Sequence, residues 1–409
     1  MKHIISMIDG TSRNARVEKI YSNIYRLNLA LRERCWNDRT HRFDDQVVIY
    51  YPGVGTSLTK DRLESQLYGY GIVDLVKDAY VNIASNYYRG DKIYLFGFSR
   101  GAVAARILSS FIGEFGLLRP DHIDLLEYAW EYYELTSSTA GPPVTFEAWA
   151  EDKYRGKVKI LQNVRLADIL HDNVHIEFLG LFDAVPGGSN PERSMVRDFR
   201  VGNLAPARGV KVAVHLLSID ETRPVFRPVL WNKRSWAPGD FEQTVEQIWM
   251  PGVHTDVGGG YPDSFLSNLS LLTMIDKMMQ YGLKLQFYDD YIKNIKNETI
   301  DKNFSYVIND ESSIPYFIRE KMVGNIYKYR EIGFTNKNLM KDFENDVSGF
   351  YNTVHPFVFK IYGKSIIYKN RKRLYMPKNM ADISRNECFL TTFYDDDSMN
   401  KFCGIAAAK

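Results

Sequence analysis

Residues 93–101 read Ile-Tyr-Leu-Phe-Gly-Phe-Ser-Arg-Gly, and this stretch decides the fold. Its first four residues form an apolar run of strand length. The last five fit the pattern G-x-S-x-G, in which a strand turns so sharply into a helix that the serine is strained and exposed. Small residues follow the turn at Ala102, Ala104 and Ala105, as tight packing beneath it requires. A helix-capping serine is the alternative interpretation of Ser99, but this context favours a nucleophile elbow.

Apolar runs of strand length alternate with helical patterns through the first two thirds of the chain. Such alternation is typical of a mostly parallel sheet flanked by helices on both faces. Together with the elbow, it predicts an α/β fold of the α/β-hydrolase-like kind. We expect strands at residues 3–8, 46–51, 92–96, 174–182, 210–219 and 245–250, and helices at residues 17–31, 72–87, 100–111 and 125–133.

The chain is expected to have two unequal parts. From about residue 285 the composition shifts towards Lys, Asn, Tyr and Asp, and the periodicity weakens. We therefore predict a catalytic domain over residues 1–285 and a smaller C-terminal accessory module, α+β or helical, over residues 286–409. A looser pattern over residues 115–170 predicts a cap inserted over the sheet.

Composition and charge argue against some functional classes. The 409 residues, 45% of them hydrophobic, are enough to bury at least one large core. The formal net charge of +2 lacks the basic excess of nucleic-acid-binding proteins, so no DNA or RNA partner is expected. Cys35, Cys388 and Cys403 lie far apart, outside any CxxC or Cys/His cluster. The sequence therefore predicts no metal site and no cofactor, and folding in a reducing compartment.

The first residues of the sequence indicate the compartment in which the chain is synthesised. The apolar run within residues 1–9 is too short for a signal peptide. No segment approaches the roughly 18 consecutive apolar residues that a membrane span needs. We expect synthesis in the cytoplasm, and any export would use a secretion machine that does not require a signal peptide.

A serine hydroxyl is a poor nucleophile at neutral pH, so it needs a histidine as base and an acid that orients the histidine. In this fold the three follow the chain order Ser, acid, His. Three histidines, His215, His254 and His355, come late enough in the chain. His254 is preferred, because its glycine-rich loop, residues 251–260, follows a strand and lets the backbone approach another element. His215 lies in an apolar run typical of a core histidine, and His355 is the reserve candidate.

Three aspartates are candidates for the acid. Asp183 ends the apolar run of residues 176–182, which puts a carboxylate at the carboxyl end of a buried strand, where α/β sites gather. Asp220 ends a similar run but precedes Glu221-Thr222-Arg223, where an ion pair is plausible. Asp256 is two residues from His254 and could orient it locally. We expect Asp183, with Asp256 and Asp220 as alternatives.

An oxyanion hole needs two backbone N–H groups that face the reacting carbonyl oxygen. The first is expected from Arg100, the residue after the nucleophile. The second is expected from Gly10 or Thr11, because a glycine just after the first strand lets the main chain face the site. A plain tight turn at residues 9–11 is an equally good interpretation of the sequence.

Taken together, these motifs resemble the α/β-hydrolase domain of the type VI secretion phospholipase effectors. The similarity covers roughly residues 3–280, and the H-x-D-x-G-G-G-Y block is more specific than the serine pentapeptide. The matching segments are residues 8–11, 97–102, 181–185, 218–223 and 254–261.

This resemblance implies an esterase that cleaves the acyl chains of glycerophospholipids without a metal or cofactor. It also implies that Ser99, Asp183 and His254 occupy the triad positions. The implied partners are a phospholipid or other lipid ester, a membrane surface touched transiently, a secretion machine and an immunity protein. The family often carries long extra regions for membrane docking, whereas this chain has only a compact C-terminal part rich in Lys and Asn.

Two other functions fit parts of the sequence. Residues 7–11 faintly resemble the aspartyl-phosphate loop of haloacid dehalogenase-like phosphatases, which depend on magnesium. That loop usually has a second aspartate two residues after the first, where this chain has Thr11. The other alternative is a catalytically inert hydrolase scaffold that acts as a binding module.

Overall fold

The protein is described by a computed structural model over residues 1–11, 13–53, 71–138, 144–155, 157–186, 206–223, 226–231, 243–300, 306–309, 330, 352–368 and 371–379. Strands and helices alternate in these parts of the chain. They are β1 Lys2–Ile8, α1 Asn23–Ala30, β2 Arg34–Asn37, β3 Arg42–Tyr51, α2 Ile72–Asn86, β4 Lys92–Phe98, α3 Arg100–Glu114, α4 Leu126–Ser138, α5 Phe146–Tyr154, α6 Leu166–Ile169, β5 Ile176–Phe182, β6 Val210–Ser218, β7 Thr244–Met250, α7 His254–Gly258, α8 Phe265–Gln280, α9 Asp289–Ile300, β8 Val307–Ile308, β9 Asn352–Val354, α10 Pro356–Ile361, β10 Ser365–Tyr368 and β11 Arg371–Leu374.

A large sheet contains the strands in the order β2-β3-β1-β4-β5-β6-β7-β9. Each neighbouring pair is parallel except β2 and β3. Parallel neighbours need crossover connections, which place helices on the faces of the sheet and bury its central strands on both sides. The predicted α/β fold with a mostly parallel sheet flanked by helices is confirmed. A smaller sheet has the order β11-β10-β8.

The core has one apolar layer on each face of the large sheet. Successive residues of a strand point to opposite faces, so Ile4 packs in the layer of α2 and α3, and Ile5 in the layer of α1 and α8. Both side chains are fully buried. Complete burial of such a side chain contributes roughly 1.5–3 kcal/mol to stability.

Two local predictions differ from the structure. Helix α1 begins at Asn23, because the Ser22 hydroxyl accepts the N–H of Tyr25 and caps the helix there. The sequence pattern predicts that Val17 and Ile20 belong to that helix, but they lie before it and are 76% and 40% exposed. Strand β2 was not predicted, since in Arg34–Asn37 only one residue is buried and the apolar pattern is correspondingly weak.

Several of the described residues after 285 pack against the same sheet. Strand β9 extends it beside β7, and Ile295, Ile308 and Phe357 belong to the apolar layer that contains α8. The division into residues 1–285 and 286–409 stays a prediction.

Within residues 115–170, helices α4 and α5 pack next to α3 through aromatic side chains. The ring of Phe111 lies 5.1 Å from that of Trp130, and the ring of Phe115 lies 5.3 Å from that of Phe146. The function of this segment as a cap also stays a prediction. Among the described residues, none of the helices has both the length and the apolar character required to cross a bilayer.

The turn between β4 and α3 forces the backbone into an unusual conformation. Ser99 has φ 57° and ψ −124°, which is costly for a residue with a side chain. Two glycines make the turn sterically feasible. A Cβ atom on Gly97 would lie 2.5 Å from the Ala102 Cα atom, and one on Gly101 would lie 2.3 Å from the carbonyl oxygen of Asp9. The elbow predicted at residues 97–101 is therefore held by close backbone contact with the end of β1.

We expect Gly101→Ala to lower the free energy of unfolding by about 1–3 kcal/mol, because the added methyl group overpacks against the backbone of β1. Urea denaturation of the full chain measures this change. Ser110→Ala, at a partly buried position on the same helix, is the matched control and should change stability by no more than about 0.5 kcal/mol. Equal stability of the two variants would contradict the close contact.

Candidate active site

Ser99 lies directly after β4 and caps the amino-terminal end of α3. Its N–H donates to the Phe182 carbonyl oxygen at 3.0 Å, and its own carbonyl accepts the N–H groups of Ala102 and Val103. These bonds fix the serine backbone between two strands and the helix. The residue is 6% exposed, so it is largely enclosed by protein.

The imidazole of His254 connects Ser99 to Asp183. His254 Nε2 lies 2.9 Å from Ser99 Oγ, and Nδ1 lies 2.6 Å from Asp183 Oδ2. The ring is held between Phe98 and Phe226, whose ring centroids lie 4.8 Å and 4.9 Å away. The structure thus brings the three residues chosen from the sequence into one hydrogen-bonded chain. Both spacings are those expected of a nucleophile, a base and the acid that orients the base.

The carboxylate of Asp183 is fully buried immediately after β5. It accepts the Ser218 N–H at 3.0 Å and the Ser218 hydroxyl at 2.9 Å. Burial alone raises the pKa of Asp183, but the positive charge of Arg330 and the hydrogen bonds from His254 and Arg330 outweigh it. The pKa therefore lies well below its usual range, and the group is ionised at neutral pH.

Arg330 is a site residue that sequence reasoning missed. Its two guanidinium nitrogens donate to the two carboxylate oxygens of Asp183 at 2.6 Å and 3.0 Å. The same group donates to the carbonyl oxygens of Ser218 and Phe226. No motif or periodic pattern surrounds Arg330 in the sequence, and it lies within residues 286–409. Only the folded chain places it against the acid.

The two alternative acids hold backbone groups of the His254 loop. Asp220 accepts the N–H of Gly252 at 2.7 Å and the hydroxyl of Tyr375 at 3.0 Å. Burial raises the pKa of Asp220 to about 7. Asp256 accepts the N–H of Val253 at 3.0 Å, next to the start of α7. These contacts fix the two residues just before His254, whereas the imidazole itself contacts Asp183.

The other two late histidines belong to the core. His215 accepts the N–H of Ala184 at 2.9 Å, and burial followed by the charge of Arg106 lowers its pKa to about 3. His355 caps α10 by accepting the Phe357 N–H at 3.2 Å, and burial lowers its pKa to about 3 as well. Both rings are therefore neutral structural groups.

In the loop after β1, one of the expected oxyanion-hole donors already has a hydrogen-bond partner. The N–H of Gly10 donates to Asp9 Oδ1 at 2.7 Å, so this expected donor is already engaged by a carboxylate. Arg100 is the first residue of α3, where backbone N–H groups point out of the amino-terminal end of the helix. The backbone N–H groups of Arg100 and Thr11 remain the candidate donors.

The Asp9 carboxylate is a buried acceptor. It is 1% exposed, and its Oδ2 accepts the hydroxyls of Ser22 at 2.7 Å and Tyr50 at 2.8 Å. Burial raises the pKa of Asp9 to about 6, although these hydrogen bonds and that of Gly10 partly offset the effect. Asp9 thus shapes the loop that carries Thr11.

Comparison with known proteins gives a family and three similar proteins. Residues 2–277 match the family described as "T6SS, Phospholipase effector Tle1-like, catalytic domain". The "Uncharacterized protein YEL023C" of Saccharomyces cerevisiae is 26% identical over 261 residues, which cover 59% of this chain and 34% of the yeast protein. The chain therefore spans about a third of the length of that relative.

Two solved structures are also similar. One is described as "Crystal structure of an uncharacterized protein from Pseudomonas aeruginosa", with 19% identity, a TM-score of 0.39, and coverage of 73% of this chain and 48% of that one. The other is described as "Structure of the Tle1 effector bound to the VgrG spike from the Type 6 secretion system". It has 18% identity and a TM-score of 0.31, and the match covers 64% of this chain and 51% of that one.

The family match extends from the first strand into α8, so it includes Ser99, Asp183 and His254. It spans well over half of the chain and confirms the resemblance inferred from the motifs. The chain belongs to the T6SS Tle1-like phospholipase effector family, and it does so through the catalytic domain of that family.

Proposed function

We propose that this chain is a serine hydrolase that cleaves carboxylic esters of lipids. In this proposal Ser99 is the nucleophile, His254 is its base, and Asp183 orients His254 and stabilises its cation. The observation that carries the proposal is the continuous chain of hydrogen bonds through the imidazole, with distances of 2.9 Å to Ser99 Oγ and 2.6 Å to Asp183 Oδ2.

The proposed reaction uses the three hydrogen-bonded groups in turn. His254 Nε2 removes the proton of Ser99 as Oγ attacks the ester carbonyl carbon, and the carbonyl oxygen becomes an oxyanion. The N–H groups of Arg100 and Thr11 donate to that oxyanion. His254 then gives the proton to the leaving alcohol, which breaks the ester bond and leaves Ser99 acylated. A water molecule, deprotonated by His254, releases the fatty acid and regenerates the serine.

The proposed substrates are glycerophospholipids, cleaved at an acyl chain in a phospholipase A-type reaction. Family membership supports this substrate class. The rings of Phe98 and Phe226 next to His254 supply apolar surface close to the reacting groups, as a fatty-acyl ester requires. The proposal includes synthesis in the cytoplasm, delivery by a secretion machine, transient contact with a target membrane, and an immunity protein.

The phosphatase alternative lacks support in the loop after β1. An aspartyl-phosphate mechanism needs a carboxylate that can attack phosphorus. Asp9 is instead buried, and its oxygens accept hydrogen bonds from Gly10, Ser22 and Tyr50. The inert-scaffold alternative predicts no turnover and an unreactive serine, so the variants below distinguish it from the proposed esterase.

Replacement of Ser99 or His254 by alanine should lower phospholipase activity by about 10⁴-fold or more, because members of a triad act as a unit. The measurement is fatty-acid release from phosphatidylethanolamine vesicles, with circular dichroism to verify the fold. A fluorophosphonate probe should label the unsubstituted chain and not Ser99→Ala. Ser110→Ala serves as the control. Full activity in either triad variant would rule out this assignment.

Arg330 is proposed as a positioning residue for Asp183. Its positive charge keeps the buried carboxylate ionised, and its two-point contact fixes the plane of the carboxylate beside His254. Among the residues that the structure describes, the titratable and charged side chains around Asp183 include His254, Arg330 and the neutral His215, with Arg106 behind His215. Loss of the guanidinium leaves the carboxylate with an uncompensated negative charge.

We expect Arg330→Ala to lower kcat/KM by about 10–100-fold and to move the acid limb of its pH profile to higher pH. The shift has this sign because loss of a nearby positive charge favours the protonated imidazole of His254. Arg330→Lys retains the charge and should restore most of the profile. The pH dependence of vesicle hydrolysis measures the effect.

Stability must be followed in the same samples, since removal of one partner from a buried ion pair costs about 3–5 kcal/mol. Thermal melts identify any variant that does not fold, and the exposed Arg371→Ala is the matched control. A fully folded Arg330→Ala protein with an unchanged pH profile would refute the positioning role.

A further inference from the structure

Three side chains that can bind a metal meet at the amino-terminal end of β1. Cys35 and Asp44 are directly opposite each other in the antiparallel pair of β2 and β3, so their side chains share one face. His3 pairs with Gln46 in β3, two residues beyond Asp44, which puts His3 on that same face. All three are buried, with exposures of 1% for His3, 1% for Cys35 and 4% for Asp44.

The ligand atoms of this His3-Cys35-Asp44 cluster all lie within 4.8 Å of one another. His3 Nε2 is 3.9 Å from Asp44 Oδ2. The other ring nitrogen, Nδ1, lies 3.0 Å from the Tyr94 hydroxyl. Nε2 is buried and has no hydrogen-bond partner among the described residues. Such an atom needs a physical explanation, because nearly all buried polar atoms in proteins have a partner.

We propose that the cluster is a zinc site with Cys35 Sγ, His3 Nε2 and an Asp44 carboxylate oxygen as ligands. Thiolate, imidazole and carboxylate are the groups that bind zinc in proteins, and one thiolate plus one carboxylate neutralise the charge of Zn²⁺. Ligand atoms around tetrahedral zinc lie about 3.3–3.7 Å apart. The observed 3.9 Å between His3 and Asp44 therefore requires a contraction of only about 0.5 Å.

Neighbouring groups already orient two of the ligands. If His3 Nδ1–H donates to Tyr94 Oη, the ring takes the tautomer in which Nε2 carries a lone pair towards the cluster. Asn37 donates its side-chain N–H to Asp44 Oδ2 at 2.6 Å and fixes that carboxylate. Metal-binding histidines and carboxylates are usually held by hydrogen bonds of this kind.

Zinc binds the thiolate form of cysteine. Binding at this cluster therefore replaces the S–H bond of Cys35 by an S–Zn bond and releases one proton to solvent.

The position of the cluster indicates a structural role. His3 is near the start of β1, and Ser99 is at the opposite, carboxyl edge of the sheet, about 20 Å away at roughly 3.3 Å per residue. An ion there would tie β2, the antiparallel edge strand, to β3 and β1. The proposal is independent of the proposed esterase, because none of its ligands contacts the triad.

The test uses the full chain with Cys388 and Cys403 replaced by serine, so that Cys35 is the remaining thiol. After removal of metals by a chelator, the protein is loaded with Zn(II) alone, dialysed and analysed for bound zinc. We expect one zinc per chain and a higher Tm. Loading with Co(II) should give a thiolate-to-cobalt absorption band. Cys35→Ser should lose the band, and Asp44→Asn should lose the zinc-dependent rise in Tm.

Asp45→Asn is the matched control, because Asp45 is the next residue on β3 but its side chain is 57% exposed. It should bind zinc like the parent. Absence of stoichiometric zinc, absence of a thiolate band with Co(II), or equal zinc binding in Asp44→Asn and the parent would each overturn the proposal. The cobalt spectrum of the parent decides thiolate ligation even if a variant does not fold. Fluorophosphonate labelling of the metal-free parent reports on Ser99 separately.

Discussion

The negative charge of Asp183 lies in the interior of the protein, and the geometry of the site depends on how that charge is satisfied. An isolated carboxylate there would take up a proton rather than remain charged. The guanidinium of Arg330, the N–H and hydroxyl of Ser218 and the imidazole of His254 surround it and keep it ionised. The orientation of His254 follows from that anion, and the hydrogen bond to Ser99 follows from the orientation of His254.

The parallel sheet explains why residues so distant in sequence meet. Strands β4, β5, β6 and β7 are neighbours and run in the same direction. Their carboxyl ends therefore lie along one edge, which is where α/β proteins place their sites. Ser99 follows β4, Asp183 follows β5, and Ser218 ends β6. His254 comes four residues after β7 ends, in a loop that the Asp220 carboxylate holds through Gly252.

The parts of the site that could be predicted have local patterns. Ser99 is marked by its elbow, Asp183 by the apolar run before it, and His254 by its glycine-rich loop. The engagement of the Gly10 N–H by Asp9 could not be predicted, because it depends on a side-chain rotamer. Arg330 could not be predicted either, since a single arginine in a segment of weak periodicity gives no signal.

The His3-Cys35-Asp44 cluster is a second set of residues that the sequence pattern does not reveal. A metal motif is recognised in sequence when its ligands have a short, regular spacing. Here each ligand comes from a different strand, and only the register of β1, β2 and β3 brings them to one face. The expectation of no metal site rests on the spacing of the cysteines in the sequence, and that spacing does not reveal that strand pairing puts Cys35 beside His3 and Asp44.

The ion pair between Arg330 and Asp183 also has a consequence for the evolution of this protein. The segment recognised as the catalytic domain ends at residue 277, yet the counter-ion of its acid is contributed from position 330. Recombination that replaced the chain after that segment would remove Arg330 and leave the Asp183 carboxylate without its counter-ion beside His254. Residues 2–277 and the region that contains Arg330 are therefore expected to evolve together. A substitution near the Asp183 carboxylate limits which substitutions the region around Arg330 tolerates.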